Sequence, residues 1–150
     1  MNKNTHNATI VADIVLLYIS DKVPEVLLIK RAKSPFKNMW ALPGGKLESG
    51  ERVVETAVRE LEEETSVAVA VKDLKFFGYF DAVDRDPRGQ FTSFAFLVEM
   101  SEKPTVTPKT DAKEYKWFPL NDLPDLAFDH QEIIEKAYSE SVKIVEYKIC

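Results

Sequence analysis

Residues 51–65 carry the feature that most narrows what this chain can fold into. Placed on a helix at about 100° per residue, Val53, Val54, Ala57, Val58 and Leu61 fall within roughly 20° to 160° of Glu60. A helix with one apolar face must lie against a second layer. On the same projection Glu60, Glu63 and Glu64 cluster at the border of that face, and Glu62 points away. Like charges at this spacing destabilise a helix by about 0.2–0.5 kcal/mol per pair. Anions near the C-terminal end oppose the macrodipole by about 0.3–1 kcal/mol each, and the apolar border pushes their pKa values up. Two readings follow: a solvated acidic face, or a set of carboxylates held ready for a divalent cation.

Stretches rich in β-branched and aromatic residues predict strands at 9–19, 25–31, 74–83, 91–99 and 114–118. The turn-like DRDPRGQ, residues 84–90, predicts pairing of the third with the fourth. Residues 101–113 read as a polar, proline-bearing loop, and such loops often carry substrate contacts. A second helix is expected from Asp129, with Glu132 completing a capping box ahead of Ile133, Ile134, Ala137 and Tyr138. Strands on both sides of a central helix, then a terminal helix, predict an α+β fold or an α/β/α sandwich over a mixed sheet.

The 150 residues fit one domain, 1–150, able to bury roughly two-thirds of its unfolded surface. A net charge of −5 gives no basic stripe, so nucleic-acid binding by charge neutralisation is not expected. A small anionic substrate would need a cation as a bridge. The single cysteine, Cys150, cannot pair within the chain, in keeping with a reducing compartment. The apolar run TIVADIVLLYI holds Asp13, lacks a basic n-region, and is too short to span a bilayer. The expectation is a cytoplasmic protein with no membrane partner. With His6 in a tail and His130 beside the helix cap as the only histidines, a zinc site is not expected.

Upstream of the helix, Pro43, Gly44 and Gly45 read as a tight turn that lets backbone approach a ligand closely, and Gly45 is the candidate contact. Turn, helix and acidic cluster follow one another in GKLESGERVVETAVRELEEETSV, residues 45–67. This stretch resembles the Nudix hydrolase signature G-x5-E-x7-R-E-U-x-E-E-x-G-U, with U apolar. Gly45, Glu51, Arg59, Glu60, Leu61, Glu63, Glu64 and Val67 match; Ser66 stands where the family has its second glycine. The later YKWFPLNDLP is also similar to the family.

The resemblance implies a mixed sheet between helices and metal-dependent hydrolysis of a nucleoside diphosphate linked to another moiety. It implies Mg²⁺, or Mn²⁺, on Glu60 and Glu64, completed by the Gly44 carbonyl. Glu63 would bind a metal, bridge two, or help to activate water, and Glu51 would pair with Arg59 to orient the cluster. YFDAVDRDPRGQFTSFAFLVEM (79–100) and WFPLNDLPDLAFDHQEII (117–134) resemble the group that contains ADP-ribose pyrophosphatases and NAD-linked regulators. The implied reaction is ADP-ribose to AMP and ribose 5-phosphate. The rivals are removal of pyrophosphate from an oxidised nucleoside triphosphate, and ADP-ribose sensing without catalysis. Against sensing, the acidic cluster is complete and the chain leaves no room for an appended DNA-binding domain. A homodimer is a further implication.

Arg31 and Arg88 are candidates to hold phosphate or ribose, beside the alternative of surface arginines on turns. Asp111 is the first choice for an additional metal ligand or general base, and Glu114 the second; either could equally be a solvated loop carboxylate. Trp40 and Trp117 are read as core, and His130 as structural. At Ser66, a left-handed helix end costs a non-glycine residue about 1–2 kcal/mol, so the helix end and the placement of Glu63 and Glu64 are the positions in question.

Overall fold

The computed structural model of the chain describes residues 5–109 and 112–149. Its centre is β1 (Thr9–Tyr18), whose side chains alternate between two cores. Ala12, Ile14 and Leu16 enter one cluster, and Val15 and Leu17 the other. A strand apolar on both sides has to be covered on both faces, which is why the run reads as continuously hydrophobic. Along one edge β1 pairs in parallel with β6 (Phe91–Met100), from Thr9↔Phe91 to Tyr18↔Met100. Along the other it pairs antiparallel first with β4 (Gly44–Lys46) and then with β2 (Glu25–Arg31). β3 (Trp40–Ala41) and β7 (Ala112–Pro119) flank β2, and β5 (Lys75–Phe80) pairs antiparallel with β6.

α1 (Val53–Thr65) covers one face of this seven-stranded mixed sheet, with Ala57 and Leu61 fully buried against Ile14, Leu16, Leu27 and Phe96. Burying a side chain such as Leu61 contributes about 1.5–3 kcal/mol. α2 (His130–Ile149) covers the other, through Ile133, Ile134 and Ala137. The arrangement is the expected α+β sandwich.

Several boundaries differ from the sequence reading. β5 ends at Phe80 rather than 83, and α1 begins at Val53, so Glu51 lies outside the helix. Gly44 and Gly45 form strand β4 instead of a tight turn. Asp129 does not act through a side-chain cap: its carboxylate receives Arg85, while its backbone oxygen accepts the N–H groups of Glu132 and Ile133. Tyr138 points outward, because Ile133, Ile134 and Ala137 already fill the face that meets the sheet. β7 starts at Ala112, earlier than the expected 114. Trp40 and Trp117 pack on the two cores as expected.

Candidate active site

β4 and α1 meet because β4 is built of glycine. A Cβ on Gly45 would lie 2.3 Å from the Glu60 carboxyl carbon, and one on Gly44 would lie 2.3 Å from the Ala12 carbonyl oxygen. The pair therefore serves close packing, and the helix carboxylates reach the sheet edge through the space left. Glu64 is buried and accepts the Gly44 N–H at 3.3 Å. Burial pushes its carboxyl well above the usual range, and the adjacent Glu60 carboxylate adds to that.

Arg59 organises the rest. Its Nε and Nη2 form a fork on Glu51 at 3.1 and 2.7 Å, and Nη2 also donates to the Lys46 carbonyl at 3.0 Å. Nη1 donates to Glu60 at 2.8 Å and to Glu63 at 3.2 Å. The fork, with a bond from the Thr56 hydroxyl, lowers the Glu51 pKa to about 2. Glu51 and Arg59 thus fix the helix to the strand before it and hold Glu60 in place.

Part of this group borders a cleft of about 400 Å³. Glu60, Glu64, Gly44 and Gly45 line it, together with Arg31 and Arg88. Glu63 does not: its side chain is half-exposed and turned toward Arg59 on the outer side of the helix, beside Glu62 and Lys109. Arg31 donates from Nε to the Pro35 carbonyl at 2.8 Å and lies over the Phe128 ring at 5.0 Å. Glu114 is paired with Lys30 at 3.4 Å and is not among the cleft residues. Asp111 lies outside the described residues.

The cleft floor holds residues that the sequence reading missed. Asp13, buried on β1, accepts a hydrogen bond from the Ser93 hydroxyl and lies 3.6 Å from His130 Nε2. His130 Nδ1 accepts the Leu42 N–H at 3.0 Å. Full burial pushes the imidazole below its ordinary pKa, which the Asp13 charge only partly offsets. His130 is thus a neutral connector, in keeping with its structural reading. Arg85, buried to 8 % exposure, grips Asp129 at 2.9 and 2.6 Å. The only local signal for this group was Asp13, a lone acid inside an apolar run.

Among the described residues, no group of three or more His, Cys, Asp or Glu is arranged to hold a metal ion. The donor set still fits a hard divalent cation. Two carboxylates, Glu60 and Glu64, are pressed together one turn apart on α1, and Gly45 leaves the room in which Glu60 sits. Such cations take oxygen ligands and keep several waters, so two protein carboxylates are sufficient.

Residues 9–137 match the family model described as NUDIX domain. This chain belongs to the Nudix hydrolase family. It is 46% identical, over 117 residues, to an ADP-ribose pyrophosphatase of Methanocaldococcus jannaschii, a match covering 78% of this chain and 68% of the relative. It is 28% identical to the ADPR responsive transcriptional repressor NtrR of Acinetobacter baylyi, covering 85% of this chain but about half (52%) of that protein. Among solved structures, the NUDIX domain of Shewanella oneidensis NrtR complexed with ADP ribose superposes with a TM-score of 0.82 at 30% identity. That match covers 92% of this chain and 91% of the other. As a Nudix hydrolase the chain is an enzyme, and no helix among its described residues is long and apolar enough to cross a membrane.

Proposed function

We propose that this Nudix hydrolase cleaves ADP-ribose to AMP and ribose 5-phosphate with Mg²⁺ as its cofactor and Mn²⁺ as a substitute. Water adds to one phosphorus, the bridging P–O bond breaks, and the two monophosphates leave. The observation that carries the reading is a single cleft that holds both the Glu60–Glu64 pair and an arginine-bearing wall, in a chain 46% identical to an ADP-ribose pyrophosphatase.

Glu60 and Glu64, with the Gly44 carbonyl, would hold the cation. Bound there, it neutralises pyrophosphate charge and lowers the pKa of water. Arg59 and Glu51 keep Glu60 oriented through the bonds described above. Gly45, in the cleft lining beside Glu60, contacts the substrate through its backbone, and Arg31 and Arg88 hold phosphate or ribose. Asp111 is the carboxylate we assign to taking the proton of the attacking water; Glu63 would share that role only on leaving Arg59 and turning toward the cleft.

A second reading, ADP-ribose sensing without turnover, is favoured by the similarity to the ADPR responsive repressor. One experiment separates the two: incubation with ADP-ribose and Mg²⁺, following AMP, beside a Glu64→Gln control. AMP formed by the parent and absent with the variant supports the pyrophosphatase. Binding of ADP-ribose without AMP supports the sensor, and turnover of oxidised nucleoside triphosphates in its place overturns the substrate assignment.

A further inference from the structure

Arg59, which holds the cleft residue Glu60, differs from Arg85 and Arg88 in the cleft lining in how many of its donors are used. A guanidinium has five N–H groups. Arg59 makes a bond with each: one from Nε to Glu51, two from Nη1 to Glu60 and Glu63, and two from Nη2 to Lys46 and Glu51. It has nothing left for a ligand. Among the described residues, Arg85 spends only Nε and one Nη2 donor, both on Asp129. Arg88 repeats that pattern on Asp86, at 3.0 and 2.8 Å.

Among the described residues, the Nη1 groups of Arg85 and Arg88 meet no acceptor, and both residues line the cleft. The Arg85 side chain is only 2% exposed, yet no buried side-chain nitrogen or oxygen among the described residues lacks a partner. Its Nη1 is therefore not fully sealed, and the residue lines the cleft.

Both forks are fixed before any ligand arrives. Asp129 stands at the start of α2, and the Asp86 carboxylate also accepts the Arg88 backbone N–H at 2.9 Å. Arg88 is further held over Phe91 and Phe128, at 4.9 and 5.7 Å from the ring centres. A planar fork clamped on one side presents its other edge at little entropic cost, and that edge suits a phosphoryl oxygen.

We propose that Arg85 and Arg88 form a preorganised subsite for phosphoryl oxygens, with Arg85 as its fixed donor and Asp129 as the residue that positions it. The subsite rests on the pyrophosphatase reading for its ligand class but does not depend on the nucleoside. It binds the non-bridging oxygens of a pyrophosphate in the cleft that Glu60 also lines.

The test is calorimetric titration of inorganic pyrophosphate with Mg²⁺ into the full chain, without any nucleoside. The double variant Arg85→Gln/Asp129→Asn replaces the buried ion pair by a neutral amide pair and removes the Nη1 donor. Its affinity for pyrophosphate should fall about tenfold, at a melting temperature near that of the parent. Arg85→Lys keeps the charge but loses the fork, should fall by less, and carries the comparison if the double variant unfolds. Parent-like affinity in a folded variant of either kind overturns the subsite. A parent that binds pyrophosphate yet leaves ADP-ribose intact overturns the substrate proposal and leaves the subsite standing.

Discussion

The Ser66 hydroxyl donates to the Thr107 carbonyl at 3.0 Å, from a residue whose φ of 67° places it in the left-handed region. The helix thus ends as a glycine would end it, with the Ser66 N–H on the Glu62 carbonyl. The hydroxyl does what glycine cannot: it ties α1 to the loop ahead of β7. Two further bonds close the same end, from the Thr107 N–H to the Thr65 carbonyl and from the Lys109 N–H to the Glu64 carbonyl. The Glu64 and Thr65 carbonyls are therefore satisfied by the loop, and this end of α1 is held despite the missing glycine.

Ser66→Gly removes about 1–2 kcal/mol of left-handed strain and loses a hydrogen bond worth about 0.5–1.5 kcal/mol. The two nearly cancel, so urea denaturation should give a stability within about 0.5 kcal/mol of the parent. Ser66→Ala keeps the strain and loses the bond, and should cost about 1 kcal/mol. A glycine variant stabilised by the full strain energy would show that the hydroxyl contributes nothing.

Gly45→Ala should abolish most activity while the chain still folds. The added Cβ would lie within 2.6 Å of three Glu60 carboxyl atoms, so the Glu60 carboxyl has to move away. Misplacing a catalytic group by about 1 Å costs about a hundredfold in rate. Steady-state turnover of ADP-ribose beside a circular-dichroism melt checks this. Parent-like turnover would mean that the Glu60 position is not critical.

The helix half of the site was legible because its order is local. Glu60 and Glu64 share a face through the helical repeat, and Glu51 meets Arg59 across one turn-and-helix segment. The same repeat set Glu63 beside Glu60, where both meet Arg59 Nη1, but gave no sign that Glu63 would lie outside the cleft. Asp13, Ser93, Arg85, Asp129 and His130 were illegible as a group. They come from β1, β6, the β5–β6 loop and the start of α2, and only the parallel pairing of β1 with β6 sets Asp13 beside Ser93. Five of the seven strands were readable from composition, whereas β3 was too short to show a pattern and β4 was hidden by two glycines that read as a turn.

Glu51 predicts an acid-sensitive link between β4 and α1. Its folded pKa of about 2 lies below the ordinary value of 4.5. A lowered carboxylate pKa contributes stability that is complete above the unfolded value and is lost as pH falls through the folded one. The contribution should therefore fade between about pH 4.5 and 2. Glu51→Gln removes that part of the acid limb: plots of stability against pH for variant and parent should converge toward pH 2 and separate above 4.5. Parallel curves across this window would show that the Arg59 fork does not hold Glu51 ionised.

Glu64 carries the opposite sign. Its pKa is raised by burial and by Glu60, so above the unfolded value of 4.5 the folded state gives up stability that a neutral side chain would keep. Glu64→Gln should therefore raise the melting temperature when divalent ions are removed by chelation. A cation bound by the parent reverses this, because a ligand held only by the folded state stabilises it by mass action, about 2.7 kcal/mol at a hundredfold excess over Kd. Adding Mg²⁺ should raise the melting temperature of the parent and leave that of the variant almost unchanged. A pair of melts with and without Mg²⁺ for each protein tests both signs together. Equal Mg²⁺ shifts in parent and variant would place the cation away from Glu64. A variant less stable than the chelated parent would show instead that Glu64 is held by partners strong enough to offset its burial.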